Sequence, residues 1–184
     1  MKPSRYRIAI LSGVLAALLG TTLLALSSCS DTITSTYSSK YPVMCGFQVV
    51  AYAELFAVID NTGEFATIRQ SGGKIVMTHR GSSTSYTMDA LSKEFLFGLG
   101  GLIVGTDNYG HYRAYDLACP NCDRAEHRLS LSDTGTAKCA KCGIQYNLNN
   151  DGALIDKGTG LYSKPRGLYQ YPLTYDGMRV NIIN

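Results

Sequence analysis

The stretch from 117 to 148 reads LACPNCDRAEHRLSLSDTGTAKCAKCGIQYNL, and its cysteines decide how the second half of the chain is interpreted. Cys119 and Cys122 form one CxxC pair, and Cys139 and Cys142 form a second pair sixteen residues later. The two residues inside each pair allow a tight turn that points both sulfurs towards one place. Two facing pairs therefore give four thiolates in a tetrahedral array, and soft thiolates select zinc or iron. The stretch predicts a small metal-binding subdomain over about 117–148.

The first 28 residues predict an export signal. Three basic residues precede an uncharged apolar run from 8 to 26, and the order Leu-Ser-Ser-Cys follows at 26–29. Small residues before a cysteine suit a signal cleavage site better than a helix interior. The order resembles the lipobox of bacterial lipoproteins. That likeness implies diacylation of Cys29, cleavage before it, and a lipid anchor in a membrane of the bacterial cell envelope, on the periplasmic side or at the cell surface. A plain signal peptide or a single transmembrane anchor is the alternative.

Export leaves a second interpretation of the four cysteines open. Outside the cytosol disulfides form and persist, so two disulfides are the alternative to a metal site. A thioredoxin-like redox pair is disfavoured, because it needs a βαβ context and no helix pattern follows Cys122.

The remaining chain divides into a tether and one domain. Ser and Thr dominate residues 29–41, which predicts a flexible tether, and residues 42–184 have the size of a single domain.

Within that domain, short apolar or β-branched runs alternate with turn signals, and a short helical turn is predicted within 88–96. Asp176-Gly177 is a hairpin turn signal, and a second hairpin turn is predicted at 106–108. The predicted strands are 43–52, 55–59, 74–78, 83–88, 100–105, 109–115, 168–174 and 178–183. Many short strands at close spacing predict an all-β domain, an antiparallel β-sandwich or a small barrel.

The residues around the CxxC pairs resemble a Rieske-type iron–sulfur domain from about residue 100 to 183. The likeness rests on GGLIV at 100–104, YRAYDLACP at 112–120, CGIQYN at 142–147, PRGL at 165–168, YPL at 171–173 and DG at 176–177. It implies an antiparallel β-sandwich that carries a small metal-binding subdomain of rubredoxin or zinc-ribbon type. It also implies transfer of single electrons to a redox protein partner.

Both histidine ligands of that family are absent here. A Rieske centre takes one Cys and one His from each of two loops. In this chain Asn121 stands at the place of the first His and Cys142 at the place of the second. Four cysteines can hold a plant-ferredoxin-like [2Fe–2S] cluster, a single iron as in rubredoxin, or zinc. Because thiolates replace neutral imidazoles, any [2Fe–2S] cluster is expected to have a reduction potential well below Rieske values.

Composition argues against several classes of function. Cleavage before Cys29 lowers the number of basic residues from 17 to 14, which equals the number of acidic residues. A neutral mature chain without a Lys/Arg-rich patch argues against nucleic acid as a partner. Gly100-Gly101 lacks the following Gly-Lys-Ser/Thr of a phosphate loop, which argues against a nucleotide. No catalytic triad or carboxylate pair stands out, so an electron carrier or a binding module is favoured over an enzyme.

Two functions remain from the sequence. The first is an exported Rieske-like protein that transfers electrons through a four-cysteine metal site. The second is a binding or scaffold protein in which the same cysteines hold structural zinc or close as disulfides, without redox activity. Cys45 lies in an apolar run and is predicted to be a buried free thiol. His127, between the two CxxC pairs, is predicted to be a solvated loop residue.

Overall fold

The computed structural model describes residues 32–160 and 164–184. The predicted signal segment 1–28 and the predicted lipidation site Cys29 therefore lie outside the described residues. Strands dominate the described part, and their pairing is overwhelmingly antiparallel, so the domain is all-β, as the sequence predicts. Among the described residues, no helix combines the length and the apolar character needed to span a bilayer.

Most of the described chain is organised as short strands. In chain order the strands are β1 (Thr36–Tyr37), β2 (Val43–Gln48), β3 (Glu64–Ser71), β4 (Lys74–His79), β5 (Ser82–Thr87), β6 (Leu96–Phe97), β7 (Leu102–Thr106), β8 (Tyr112–Asp116), β9 (Leu129–Leu131), β10 (Thr136–Cys139), β11 (Gln145–Asn147), β12 (Ala153–Asp156), β13 (Tyr169–Tyr171), β14 (Leu173–Tyr175) and β15 (Arg179–Ile183). The described residues also form helix α1 (Ala53–Ile59) and two single 3-10 turns, Val49–Ala51 and Ser92–Glu94.

Two of the sheets share the main hydrophobic core. One has seven strands in the order β1-β13-β8-β7-β3-β4-β5, and the other has four in the order β14-β15-β2-β6. Along β2 the side chains alternate, so that Val43, Cys45 and Phe47 are buried while their neighbours are not. They belong to the same core as Ile68 of β3 and Val104 of β7. Period-two alternation is what a strand with one buried face requires.

A third sheet carries the cysteine motif. Its four strands, in the order β12-β11-β10-β9, come from the segment between β8 and β13, and we call it the metal-bearing sheet. It packs against the seven-stranded sheet in a second core, where the motif cysteines lie with Leu129, Ile144, Tyr146 and Leu148 and with Phe65, Ile103 and Tyr115 of that sheet. Its last strand runs to Asp156, beyond the boundary of about 148 that the spacing of the cysteines indicates.

The run 55–59 was predicted as a strand, and the structure shows that this prediction was wrong. Residues 53–59 form α1, in which Leu55, Val58 and Ile59 are fully buried. Their spacing of three to four residues places them on one helical face. A run of five apolar residues does not distinguish a short strand from a buried helix by periodicity alone. The predicted turn within 88–96 is present as the 3-10 turn Ser92–Glu94.

The prediction of a flexible tether over 29–41 was wrong for its second part. Residues 33–41, which we call the N-terminal segment, pack on the domain: β1 pairs in parallel with β13, and the amide of Leu154 donates to the carbonyl of Ile33 at 2.8 Å. Ser35 is buried and donates its hydroxyl to Gln170 at 2.8 Å. Gly167 permits this approach, because a Cβ there would overlap the carbonyl oxygen of Thr34. Backbone pairing of this kind gives no hydrophobic pattern, which is why composition indicates only a tether.

Candidate metal centre

The two CxxC pairs adopt the same local geometry. In knuckle 1, residues 119–123, the amide of Asp123 donates to the carbonyl of Cys119 at 2.9 Å. In knuckle 2, residues 139–143, the amide of Gly143 donates to the carbonyl of Cys139 at 2.8 Å. Asp123 and Gly143 both have positive φ, 55° and 75°. This left-handed residue closes each turn and directs the two sulfurs of the pair to the same side.

Main-chain pairing brings the knuckles together. The amide of Cys119 donates to the carbonyl of His127 at 2.8 Å, which folds the connection after knuckle 1 back towards β9. Cys139 is the last residue of β10, and its amide donates to the carbonyl of Ile144 at 3.0 Å. Because β9 and β10 are adjacent antiparallel strands, knuckle 2 is held next to the connection that leaves knuckle 1.

The four sulfurs converge on one point, as the spacing predicts. Their Sγ atoms all lie within 4.8 Å of one another, with 3.7 Å between Cys119 and Cys142 and 3.8 Å between Cys122 and Cys139. Four ligands at about 2.3 Å from a tetrahedral ion are separated from each other by about 3.8 Å. A disulfide requires about 2.05 Å. The distances between the four sulfurs therefore match those around a tetrahedral metal ion and not those of disulfides, and the four cysteines could bind such an ion.

Burial and hydrogen bonds shift the pKa values of the motif thiols in opposite directions. Cys119, Cys139 and Cys142 are buried, whereas Cys122 is only half-buried. Burial raises the pKa of Cys119, and it raises the pKa of Cys142 to about 11. For Cys139 burial acts in the same direction, but hydrogen bonds from the amides of Cys142 and Lys141 outweigh it and lower the pKa. A thiolate cluster in this site requires a cation, because a bound metal supplies the charge that displaces the protons.

A polar network joins knuckle 1 to residues 164–168, which we call the closing loop. The hydroxyl of Tyr146 donates to the carbonyl of Arg166 at 2.8 Å, and the side-chain amide of Asn121 donates to the Tyr146 oxygen at 2.6 Å. The amide of Arg166 in turn donates to the Asn121 side-chain oxygen at 2.8 Å. Tyr146 is fully buried in the second core. In the structure it is also the link between β11, knuckle 1 and the closing loop.

Knuckle 2 is supported from the connection after β12. The amide of Thr159 donates to the carbonyl of Cys142 at 3.0 Å, and the Thr159 hydroxyl donates to the same oxygen at 3.3 Å. Gly158 has a φ of +66° and lies so close that a Cβ would overlap this carbonyl and come within 2.5 Å of the Ile144 amide nitrogen. Hydrogen bonds of this kind fix the orientation of metal ligands.

Asp123 connects knuckle 1 to the N-terminal segment, which sequence reasoning did not find. Its carboxylate accepts hydrogen bonds from the hydroxyls of Tyr41 at 2.7 Å and Tyr169 at 3.0 Å, and it forms an ion pair with Lys40. Burial alone would raise the pKa of Asp123, but the hydrogen bonds from Lys40 and the two tyrosines lower it below the ordinary value. Lys40 and Asp123 are 83 positions apart, so no local sequence pattern links them.

The other singled-out residues lie outside the sulfur cluster. Cys45 is buried in the main core, as predicted, and burial raises its pKa to about 12. His127 was predicted to be solvated, but it is half-buried, and its Nδ1 atom is buried without a hydrogen-bond partner among the described residues. It contacts knuckle 1 through its backbone carbonyl and is not among the residues that converge on the site. His111 contacts the buried carboxylate of Asp107 at 3.2 Å, a partner that sequence reasoning missed.

No protein-family model matches this chain, and no curated protein or solved structure matches it either.

Proposed function

We propose that Cys119, Cys122, Cys139 and Cys142 hold a single metal ion that stabilises the metal-bearing sheet of a lipid-anchored protein of the bacterial cell envelope. The observation that carries this proposal is the mutual approach of all four sulfurs within 4.8 Å. A two-iron cluster divides its four thiolates between two irons, so that thiolates on different irons lie farther apart than those on one ion. A group of four sulfurs that are all close to one another supports a single ion.

The role that the site supports best is structural, with zinc as the ion. Four protein ligands complete a tetrahedral shell and leave no open position for a substrate, which is typical of structural zinc sites. The strands of the metal-bearing sheet have only three or four residues each. The motif cysteines also form part of the second core, so an ion at their centre would tie β10 to the connections on either side of these short strands.

Electron transfer through a single iron is the second candidate. Cys122 is half-buried, so one edge of the centre reaches the surface, where a redox protein partner could approach. The resemblance of residues 100–183 to a Rieske-type domain supports this candidate too. Under it, the chain is a Rieske-like variant with four cysteine ligands, in which Asn121 stands at the place of the first histidine and Cys142 at the place of the second.

Metal analysis and visible absorption of the anaerobically purified full chain test the proposal. One zinc ion per chain without visible colour supports the structural role, whereas one iron with charge-transfer bands supports electron transfer. The Cys122→Ser variant is expected to lose the ion, because three thiolates remain. The Cys45→Ala variant is the matched control, since Cys45 is equally a cysteine but lies in the other core, and its metal content is expected to stay unchanged. Equal metal content in the Cys122→Ser variant and the wild type would refute a four-cysteine site.

A further inference from the structure

The N-terminal segment enters the domain at the metal-bearing sheet. The carbonyl of Ile33 accepts a hydrogen bond from Leu154 on β12, which is an edge strand of that sheet. The amide of Ser35 donates to the carbonyl of Asp151 at 3.0 Å, in the turn that precedes β12. The chain is therefore fixed to β12 from Ile33 onward.

Little chain is left between this point and the predicted lipid. Four residue steps connect Cys29 to Ile33, and fully extended chain spans at most about 3.6 Å per residue. A lipid on Cys29 would therefore be joined to Ile33 by at most about 14 Å of extended chain. A lipid on Cys29 would hold the β12 edge close to the bilayer.

Exposed apolar side chains lie near the same entry point. Ile155 follows Leu154 on β12 and is 54% exposed, and Tyr37 on the N-terminal segment is 71% exposed. Two exposed lysines, Lys157 and Lys164, belong to the connection that follows β12. The exposed Asp156 lies between Ile155 and Lys157 and offsets one of these positive charges. Apolar and aromatic side chains with lysines nearby are typical of surfaces that contact lipid headgroups.

We infer that the β12 edge lies against the membrane that holds the lipid, with Ile155 at the headgroup level. The metal-bearing sheet is then the part of the domain nearest the bilayer. Thr159, which donates to the Cys142 carbonyl of knuckle 2, follows Ile155 by four residues, so the connection that supports knuckle 2 begins at the membrane-facing strand in this orientation. The inference rests on the lipid anchor of the proposed function and does not depend on which metal is bound.

Tryptophan fluorescence tests this orientation, because the chain contains no tryptophan. The full chain carrying Ile155→Trp is reconstituted through its own lipid into vesicles of phosphatidylcholine and phosphatidylglycerol brominated in their acyl chains. Ser85→Trp is the matched control: it is exposed on β5, at the opposite edge of the seven-stranded sheet from β1. Six strand spacings separate those edges, which is about 29 Å. Tyr37→Trp replaces one exposed aromatic residue by another. It is the alternative fluorescence probe if the Ile155→Trp variant does not fold.

Mass spectrometry of each sample verifies the lipid on Cys29, and metal content is measured in parallel. We expect emission of the Ile155→Trp variant to fall by about twofold or more on brominated lipid, with little change for Ser85→Trp. Equal quenching of the two variants, no quenching of either, or absence of the lipid would overturn the inference. Quenching confined to the Ile155→Trp variant in a metal-free protein would support the orientation while refuting the metal proposal.

Discussion

Substitution of Gly158 by alanine is expected to weaken metal binding without touching a ligand. Gly158 has positive φ, and its missing Cβ lets the backbone lie against the Cys142 carbonyl and the Ile144 amide. An added methyl group must displace this connection from knuckle 2. The displacement would break both hydrogen bonds that Thr159 donates to the Cys142 carbonyl.

The expected loss of metal affinity is obtained by separating two free-energy costs of the Gly158→Ala substitution. Alanine in the left-handed region costs about 1–2 kcal/mol in stability wherever it is placed. Loss of the two Thr159 hydrogen bonds adds about 0.5–1.5 kcal/mol each. Only the second contribution is specific to knuckle 2, so metal affinity is expected to fall by about 1–3 kcal/mol, or roughly 5- to 150-fold.

Gly160→Ala is the matched control for this prediction. Gly160 has nearly the same φ, +69°, but a Cβ there meets no atom within 4 Å. Competition with a chromophoric zinc chelator gives the affinity of each variant, and thermal unfolding gives its stability. We expect both variants to melt below the wild type and only Gly158→Ala to release zinc more readily. Equal zinc affinity in the two variants would refute the idea that this connection supports the site.

Two further predictions concern buried carboxylates outside the centre. Asp116 is fully buried and accepts hydrogen bonds from the amides of Leu99, Gly100 and Ala118 and from the hydroxyl of Tyr171. Asp116→Ala leaves these donors without their acceptor and is expected to cost about 3 kcal/mol or more in urea unfolding, so a loss below about 1 kcal/mol would contradict it. Burial alone would raise the pKa of Asp107, but hydrogen bonds from the amide of His111, the Arg113 side chain and the amide of Tyr109 lower it. Because the folded-state pKa is lowered, this stabilisation is present above the unfolded value of about 3.9 and is lost as the pH falls through the folded value. Between about pH 5 and 2 the wild type should therefore lose more stability than Asp107→Asn, and parallel pH profiles would contradict the prediction.

Local signals predicted much of the fold. The hairpin of β7 and β8 was expected from the turn signal at 106–108; the structure confirms the hairpin but places its turn at 107–111, between the paired residues Thr106 and Tyr112. The hairpin of β14 and β15 was expected from Asp176-Gly177, and the structure pairs Tyr175 with Val180. Both turns are short and carry residues that favour tight reversal.

Elements that depend on distant partners were not predictable in the same way. The run 168–174 was predicted as one strand but is divided at Pro172 into β13 and β14, which belong to different sheets. Proline has no amide hydrogen to donate, so the interruption is understandable once the sheets are known. β3 escaped prediction, since its burial does not follow a clean alternation.

At the candidate metal centre, too, the ligands could be predicted from local sequence, whereas the residues that support them could not. The spacing of the cysteines predicts their convergence, because each pair is a local turn. The supports of the knuckles come from elsewhere in the chain: Thr159 on knuckle 2, and Lys40 and Tyr41 on Asp123 of knuckle 1. Their residue types are ordinary for loops, and only the fold places them at the site.

Native mass spectrometry of the anaerobically purified chain, prepared without added reductant, tests the central claim most directly. A single ion held by Cys119, Cys122, Cys139 and Cys142 predicts one metal ion per chain and no inorganic sulfide. The same measurement on the Cys122→Ser variant should show the ion lost. Two irons with sulfide, or a metal-free chain lighter by the four hydrogens of two disulfides, would contradict the claim.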